Sequence, residues 1–171
     1  APIGDETKVY MRSGDQAVVG TILKTVADKF KPVMAEWRDM HVTTANVNDA
    51  TRVEISTPEG RAVLVKDLGR WKFDGPGGPA EDSAVKNVLK SIADMTAVAF
   101  TDGEAIDPAA MGLAQPQAEL RLTVPGLESV ERITVGGFSD AASKRLLYVR
   151  RNEAASAAKV RATDITPLLQ N

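Results

Sequence analysis

The clearest strand pattern in this chain is Ala118-Glu119-Leu120-Arg121-Leu122-Thr123-Val124. Its apolar side chains alternate with polar ones, which predicts a β-strand with one buried face. Pro125-Gly126 follows directly and predicts a turn. Ile133 and Val135 then predict the strand that returns beside the first. Strands joined by short turns pair antiparallel, so this region predicts an antiparallel sheet.

A second antiparallel block lies upstream of this strand. Val53 and Ile55 alternate with polar residues and predict a strand. The run Thr57-Pro58-Glu59-Gly60 has the residues of a tight turn, and Asp67-Leu68-Gly69 predicts another. A third strand follows and carries Trp71. These features predict a three-stranded meander.

The strongest helical pattern lies between the two blocks. Five apolar residues at spacings of three and four form one stripe: Val85, Val88, Leu89, Ile92 and Met95. The whole pattern predicts an α+β fold. We expect a mostly antiparallel sheet of meander and hairpin strands, with one long amphipathic helix packed on a face and additional short helices.

The end of the chain repeats its beginning. Val9-Tyr10-Met11-Arg12 returns as Leu147-Tyr148-Val149-Arg150, 138 positions later, and Ile22 aligns with Val160 at the same offset. Each copy is typical of a hairpin followed by a helical segment. Recurrence of one unit at both ends indicates part of a tandem array.

This repeat predicts the domain organisation. Residues 1–45 are expected to form the tail of a preceding repeat-like unit, a hairpin plus a helix. Residues 46–171 are expected to form one complete α+β repeat domain.

A series of landmarks runs through the second part of the chain. In order they are Trp71, Ala80 and Asp82 at the start of the apolar helix, Gly112-Leu113-Ala114-Gln115-Pro116, Ile133-Thr134-Val135-Gly136 and Tyr148-Val149-Arg150. This succession resembles the bacterial domain-of-unknown-function family 4340. The order of the landmarks, more than any single motif, carries the resemblance.

The resemblance covers about residues 50–171 as one unit and residues 8–45 as the end of a previous one. Three residues depart from the family pattern, namely the inserted Glu81, Met111 and Ala114. The resemblance implies an extracytoplasmic and often membrane-anchored protein. It also implies an association with gliding-motility-like ABC transport systems. It implies no known activity and no catalytic residues.

Composition excludes several function classes. Lys and Arg total 21 and Asp and Glu total 23, a formal charge of −2, so we do not expect nucleic acid as a partner. There are no cysteines, which excludes disulfides and thiolate sites but leaves the compartment open. No apolar run reaches the roughly 18 residues of a membrane-spanning helix. Any membrane anchor is therefore expected outside this chain.

The candidate catalytic and metal motifs are incomplete. His41 is the only histidine, and no Gly-x-Ser-x-Gly elbow accompanies it. The run Gly75-Pro76-Gly77-Gly78-Pro79 precedes a helix but lacks the lysine of a phosphate-binding loop. Asp102, Glu104 and Asp107 lack the order of a calcium loop. We therefore predict no catalytic residue, no metal ligand and no cofactor.

A possible interaction surface consists of Trp37, Arg38, Tyr148, Arg150 and Arg151. The alternative interpretation is structural. Trp37 would then pack beneath the sheet, and the basic side chains would protect an exposed strand from edge-to-edge pairing.

The sequence favours a non-catalytic, extracytoplasmic structural or interaction domain, an accessory part of a bacterial envelope or ABC-transport-associated protein. Its expected partner is a protein of the envelope. The alternative is a ligand-binding module for an envelope saccharide or peptide, which requires Trp71 or Tyr148 exposed on a concave face. A hydrolase that uses acidic residues is the third hypothesis.

Overall fold

The computed structural model describes residues 7–12, 18–30 and 38–169. The chain forms two compact units. Residues 1–39 form the first, called here the hairpin unit, and residues 40–171 form the second, called the sheet domain. The division between them lies at Asp39 and Met40, whereas the repeat predicted a boundary after residue 45. That the first part is the tail of a preceding repeat stays a prediction.

In its described residues, the hairpin unit contains two strands, a short α-helix and a 3-10 turn. Strand β1 (Lys8–Arg12) pairs antiparallel with β2 (Val19–Leu23). Helix α1 (Lys24–Ala27) follows β2 at once, and a 3-10 turn (Asp28–Phe30) follows α1.

The sheet domain is built on one eight-stranded antiparallel sheet, ordered β5-β4-β3-β7-β8-β9-β10-β6. Its strands are β3 (Arg52–Thr57), β4 (Gly60–Asp67), β5 (Arg70–Phe73), β6 (Ala97–Asp102), β7 (Ala118–Thr123), β8 (Glu131–Phe138), β9 (Leu146–Arg151) and β10 (Ser156–Arg161). Its helices are α2 (Asp82–Ala93) and α3 (Ala162–Leu169). Both predicted antiparallel blocks are confirmed, and they join directly because β3 pairs with β7.

The register of the central strands places their apolar side chains on one face. Val53 lies opposite Leu122, and Leu120 lies opposite both Ile55 and Ile133. Both helices contribute to this face. The largest fully buried side chains of this main core are Ile92, Met95, Leu120, Leu122, Ile133, Leu147 and Ile165.

The predicted α+β class was wrong. The described part of the chain is mostly β, with ten strands and only short helices. Helix α2 lies where the apolar stripe predicted a helix, but it has 12 residues, which corresponds to about 18 Å. It does not form the long helical layer that we expected on a face of the sheet.

The backbone partners of the following residues explain why α2 is short. The Ala97 N–H donates to the Met40 carbonyl at 2.7 Å, and the Val42 N–H donates to the Met95 carbonyl at 3.0 Å. These strand-like bonds take the chain out of the helix after Ala93. Met95, the last residue of the predicted stripe, is therefore buried beyond the helix end.

A second, smaller core lies on the opposite face of the sheet. Tyr148 alternates with Leu147 and Val149 along β9, so its side chain points away from the main core. It packs against a cluster of Met111, Leu113 and Ala157. Residues from the segment between β6 and β7 thus cover part of this outer face.

Across the described residues, we found no helix that is both long enough and apolar enough to cross a membrane.

Candidate functional site

A row of polar residues crosses the outer face of the sheet. Glu54 on β3 lies opposite Arg121 on β7, and Arg121 lies opposite Arg132 on β8. The Arg132 N–H donates to Asn152 Oδ1 at 2.6 Å, which continues the row into the turn between β9 and β10. Strand alternation makes these side chains share the face that is opposite the main core.

This row forms the floor of a depression of about 510 Å³. We call it the arginine depression. Its lining residues are Arg52, Glu54, Arg121, Thr123, Ser129, Val130, Arg132 and Asn152. Three guanidinium groups and one carboxylate therefore face a single concave surface.

Each of the three arginines makes an ion pair at the margin of the depression. Arg52 Nη1 lies 2.7 Å from an oxygen of Asp74, and Arg121 Nε lies 2.6 Å from an oxygen of Glu119. Arg132 pairs with Glu153. A guanidinium offers five N–H donors, more than one carboxylate accepts.

The position of Arg121 directly opposite Arg132 is electrostatically unfavourable. Like charges in cross-strand positions repel one another. An anionic group bound between the two guanidinium groups relieves this repulsion and accepts several charge-assisted hydrogen bonds. The arginine depression is therefore suited chemically to a carboxylate or phosphate group.

Glu54 is the one carboxylate among the described residues that line the depression. Its side chain is largely buried, and an oxygen lies 2.8 Å from Arg61 Nη2. The hydrogen bond from Arg61, with the positive charges of Arg121 and Arg52, lowers the pKa of Glu54 below its ordinary value. Glu54 is therefore ionised at neutral pH and unsuited to act there as a general acid.

The variant Arg61→Gln is expected to raise the pKa of Glu54 in the folded protein. A depressed pKa stabilises the fold above the unfolded value of about 4.5, and this stabilisation is lost as pH falls through the folded pKa. The variant should lose less stability than the parent below pH 4.5. An NMR titration of the Glu54 carboxyl checks the shift.

The matched control for this experiment is Lys72→Gln. Lys72 pairs with Asp67 and not with Glu54. An equal rise in the Glu54 pKa in both variants would contradict the assignment to Arg61.

Three residues of the predicted interaction surface, Tyr148, Arg150 and Arg151, have contacts within the sheet domain. Tyr148 is half-buried against the second core, and Lys159 Nζ lies 5.5 Å from its ring centroid. Arg150 Nε donates to the Ala154 carbonyl at 2.8 Å, and its Nη2 donates to the Glu153 carbonyl at 3.0 Å. Arg150 thereby holds the turn between β9 and β10.

Arg151 points to the other face and contacts a buried carboxylate. Glu131 is only 3% exposed, and its Oε1 makes no hydrogen bond to any described residue. Arg151 Nε lies 3.7 Å from this oxygen, and Arg151 Nη1 donates to Thr44 Oγ1 at 3.0 Å. Arg151 therefore compensates a buried charge and joins residues 43–45 to the sheet.

The remaining predicted residues lie apart from the arginine depression. Trp37 is outside the described residues, and Arg38 is half-buried in the hairpin unit. His41 is exposed and forms a backbone bridge with Thr96. Asp107 Oδ1 accepts the N–H groups of Ala109 and Ala110. In the part of the chain that the structure describes, no three His, Asp or Glu side chains are grouped to hold a metal ion.

The landmarks around Trp71 form one hydrogen-bonded junction between β5 and α2. The Trp71 N–H donates to Asp82 Oδ1 at 3.2 Å, and the Ala80 N–H donates to the Trp71 carbonyl at 3.0 Å. The side chain of Trp71 is 3% exposed. The landmark tryptophan is thus a core residue whose backbone anchors the start of the helix.

Two glycine landmarks meet across the second core. The Gly137 N–H donates to the Met111 carbonyl at 2.7 Å. A Cβ at Gly136 would lie 2.3 Å from that carbonyl oxygen, and one at Gly112 would lie 2.6 Å from the Gly137 nitrogen. Gly112 also has a φ of +67°, which favours glycine. These glycines allow the segment before β7 to lie against β8.

Residues 71–171 match a family described as "Domain of unknown function (DUF4340)". The chain belongs to the DUF4340 family. No curated protein and no solved structure matches the chain significantly. The DUF4340 match begins at Trp71, so β3 and β4 lie upstream of it although they belong to the same sheet.

The arginine depression of this DUF4340 protein combines residues from outside and inside the region that matches the family, residues 71–171. Arg52 and Glu54 precede the matched region, and Arg121 and Arg132 lie within it. The depression was not predicted from the sequence. The alternation predicted that these side chains point outward, but their convergence depends on the pairing of β3 with β7, which are distant in sequence.

Proposed function

We propose that this DUF4340 chain is a non-catalytic, extracytoplasmic structural and interaction domain of a bacterial envelope protein associated with ABC transport. It serves there as one element of a repeated architecture. The envelope location and the transport association rest on the family resemblance. The observation that carries the non-catalytic role is that the landmark residues build the fold. Trp71 and Asp82 anchor the start of a helix. Gly136 allows two segments to lie close together, and Arg150 holds a turn.

The proposed contact surface is the arginine depression. Its arginines belong to strands of the sheet and each guanidinium group is already held by an ion pair, so their positions require less ordering when a partner binds. An acidic segment of an envelope protein has the complementary charge. Arg121 and Arg132 are the residues that most favour such a partner, because they face each other directly.

A second candidate function, a ligand-binding module, is favoured by the same depression. Trp71 is buried and Tyr148 packs in the second core, so neither offers the exposed aromatic platform that a neutral saccharide needs. A uronic-acid saccharide or an acidic peptide is the ligand that fits the three arginines. Soluble ligand and protein partner would then compete for one surface.

The acidic residues support the non-catalytic proposal over a hydrolase. Glu54 is paired with Arg61, and Glu131 is buried beside Arg151. Each carboxylate is thus held by a cation, and the lowered pKa of Glu54 makes that group unsuited to exchange a proton near neutral pH.

The test compares the parent chain with Arg121→Gln/Arg132→Gln in the host bacterium. We expect both proteins in the envelope fraction. We also expect the parent to cross-link to a component of an ABC transport system, identified by mass spectrometry. The double variant should reduce this cross-link about tenfold, which corresponds to about 1.4 kcal/mol of binding.

The matched control is Lys90→Gln, because Lys90 is an exposed basic residue of α2 that is distant in the fold from the depression. Recovery of the parent in the cytoplasm would contradict the proposal. So would turnover of generic ester, phosphate or glycoside substrates that Glu54→Gln abolishes. Binding of a purified acidic oligosaccharide with loss in the double variant would favour the second function.

A further inference from the structure

The two hairpins of the chain have the same hydrogen-bond register at the offset of 138. Val9 pairs with Ile22 as Leu147 pairs with Val160. The other aligned pairs are Lys8–Leu23 with Leu146–Arg161, Tyr10–Thr21 with Tyr148–Lys159, and Met11–Gly20 with Val149–Ala158. Side chains alternate between the two faces of a strand, so agreement at four successive pairs strongly constrains which side chains share a face.

The agreement extends into the helix that follows. Helix α1 begins at Lys24 and α3 begins at Ala162, again 138 positions apart. The Lys24 N–H donates to the Thr7 carbonyl at 2.7 Å, and the Ala162 N–H donates to the Arg145 carbonyl at 2.8 Å. The two hairpins are therefore also equivalent in the hydrogen bond that joins the start of the helix to the residue before the first strand.

The two hairpins differ in the burial of equivalent side chains. Val149 is 1% exposed, whereas Met11 at the equivalent position is 48% exposed. Ala157 is fully buried, whereas Val19 is 55% exposed. In the sheet domain, β9 and β10 lie between β8 and β6, with Val149 in the main core on one face and Ala157 in the second core on the other. The hairpin unit carries the same apolar pattern without a flanking strand on either side among the described residues.

We propose that the hairpin unit completes the sheet of another domain of this same family, in the gap between the strands equivalent to β8 and β6. The register and order of its elements match those of β9, β10 and α3 in such a domain. In the sheet domain, a hairpin and a helix are the last elements. In the whole chain, the equivalent hairpin and helix, β1, β2 and α1, precede the first strand of the sheet domain, β3. The equivalent gap in the sheet domain is already filled by β9 and β10.

This inference rests on the repeated architecture in the proposed function and adds the acceptor site. Its partner is recognised by main-chain pairing on both edges, as in strand addition, and by an apolar face of matching period. The specificity follows from register. A shift by one residue would place Arg12 at the position of Val149, which is 1% exposed.

The sheet domain itself supplies a family acceptor for the test. In a full-chain chimera, residues 8–27 replace residues 146–165, which keeps the length unchanged. The control chimera carries residues 9–28 at the same place, which is one residue out of register. We expect the in-register chimera to unfold cooperatively, with Tm within about 10 °C of the parent. We expect no cooperative transition from the shifted chimera.

A smaller exchange repeats the test in case the full chimeras lose too much packing. Residues 8–12 replace residues 146–150, which changes only Leu146→Lys, Leu147→Val and Val149→Met. Its control places residues 9–13 there. The in-register strand should keep slow amide exchange at the position of Val149, and the shifted strand should lose it.

The proposal is supported if the in-register strand variant is more stable than its shifted control. It is overturned if the two strand variants have the same Tm, or if the shifted one is more stable. These experiments measure only the folding and stability of the chimeras. A missing envelope cross-link would therefore contradict the proposed function and leave the acceptor site standing.

Discussion

Replacing Gly136 with alanine is expected to lower the free energy of unfolding by about 3 kcal/mol, at the upper end of the overpacking range. The new Cβ would lie 2.3 Å from the carbonyl oxygen of Met111, and 3.1 Å from a methyl carbon of Leu113. The backbone atom cannot yield without loss, because that oxygen accepts the Gly137 N–H at 2.7 Å. Urea unfolding monitored by tryptophan fluorescence measures the loss of free energy, and thermal unfolding should show a fall in Tm of about 10 °C.

The control for this variant is the next residue. A Cβ at Gly137 would meet its nearest atom, the Met111 oxygen, at 3.6 Å, which is ordinary van der Waals contact. Gly137→Ala should therefore change the free energy of unfolding by less than about 1 kcal/mol. If the two variants lost the same free energy of unfolding, the need for glycine would come from backbone flexibility and not from the lack of space for a Cβ.

The variant Arg151→Ala is expected to destabilise the fold by about 2–3 kcal/mol, somewhat less than the loss of a fully buried ion-pair partner. It leaves Glu131, which is 3% exposed, without its cation. It also removes the hydrogen bond to Thr44. Because most of the cost comes from the uncompensated carboxylate, Arg151→Ala/Glu131→Gln should recover more than half of the loss. Chemical unfolding of the three proteins, parent included, forms the comparison.

A surface ion pair supplies the reference for that experiment. Lys90 and Asp94 form an exposed pair on α2, and such pairs contribute about 0.5 kcal/mol or less. Lys90→Ala should therefore be close to neutral. If Arg151→Ala were equally mild, or if Glu131→Gln made it worse, Glu131 would not need a compensating charge.

Strand positions were predictable because alternation is a local property of the chain. The patterns at Val53 and Ile55 and at residues 118–124 appear directly as β3 and β7. Helix α2 was located by its apolar stripe for the same reason. Its length was not predictable, because the helix ends at Ala93, shortly before Ala97 pairs with Met40, a residue far upstream.

The roles of the predicted surface residues also depended on contacts that are distant in sequence. Arg151 was predicted as a surface charge, yet its partner Glu131 belongs to another strand and lies on the core side. Tyr148 was a candidate platform, yet the segment that carries Met111 covers it. A charged residue on a strand can face either side, and the residues that pack over it decide its role.

The sequence by itself determined the strands, the turns and the family, and it predicted an internal repeat at an offset of 138 positions. Each of these depends on side-chain period or on residue identity along a continuous stretch. Only the tertiary structure decided that β3 pairs with β7, and with it the arginine depression and the mostly β class. The physical reason is that an antiparallel edge accepts any strand of suitable length and period. The choice among strands therefore follows from the burial of the whole apolar face, to which residues throughout the sheet domain contribute.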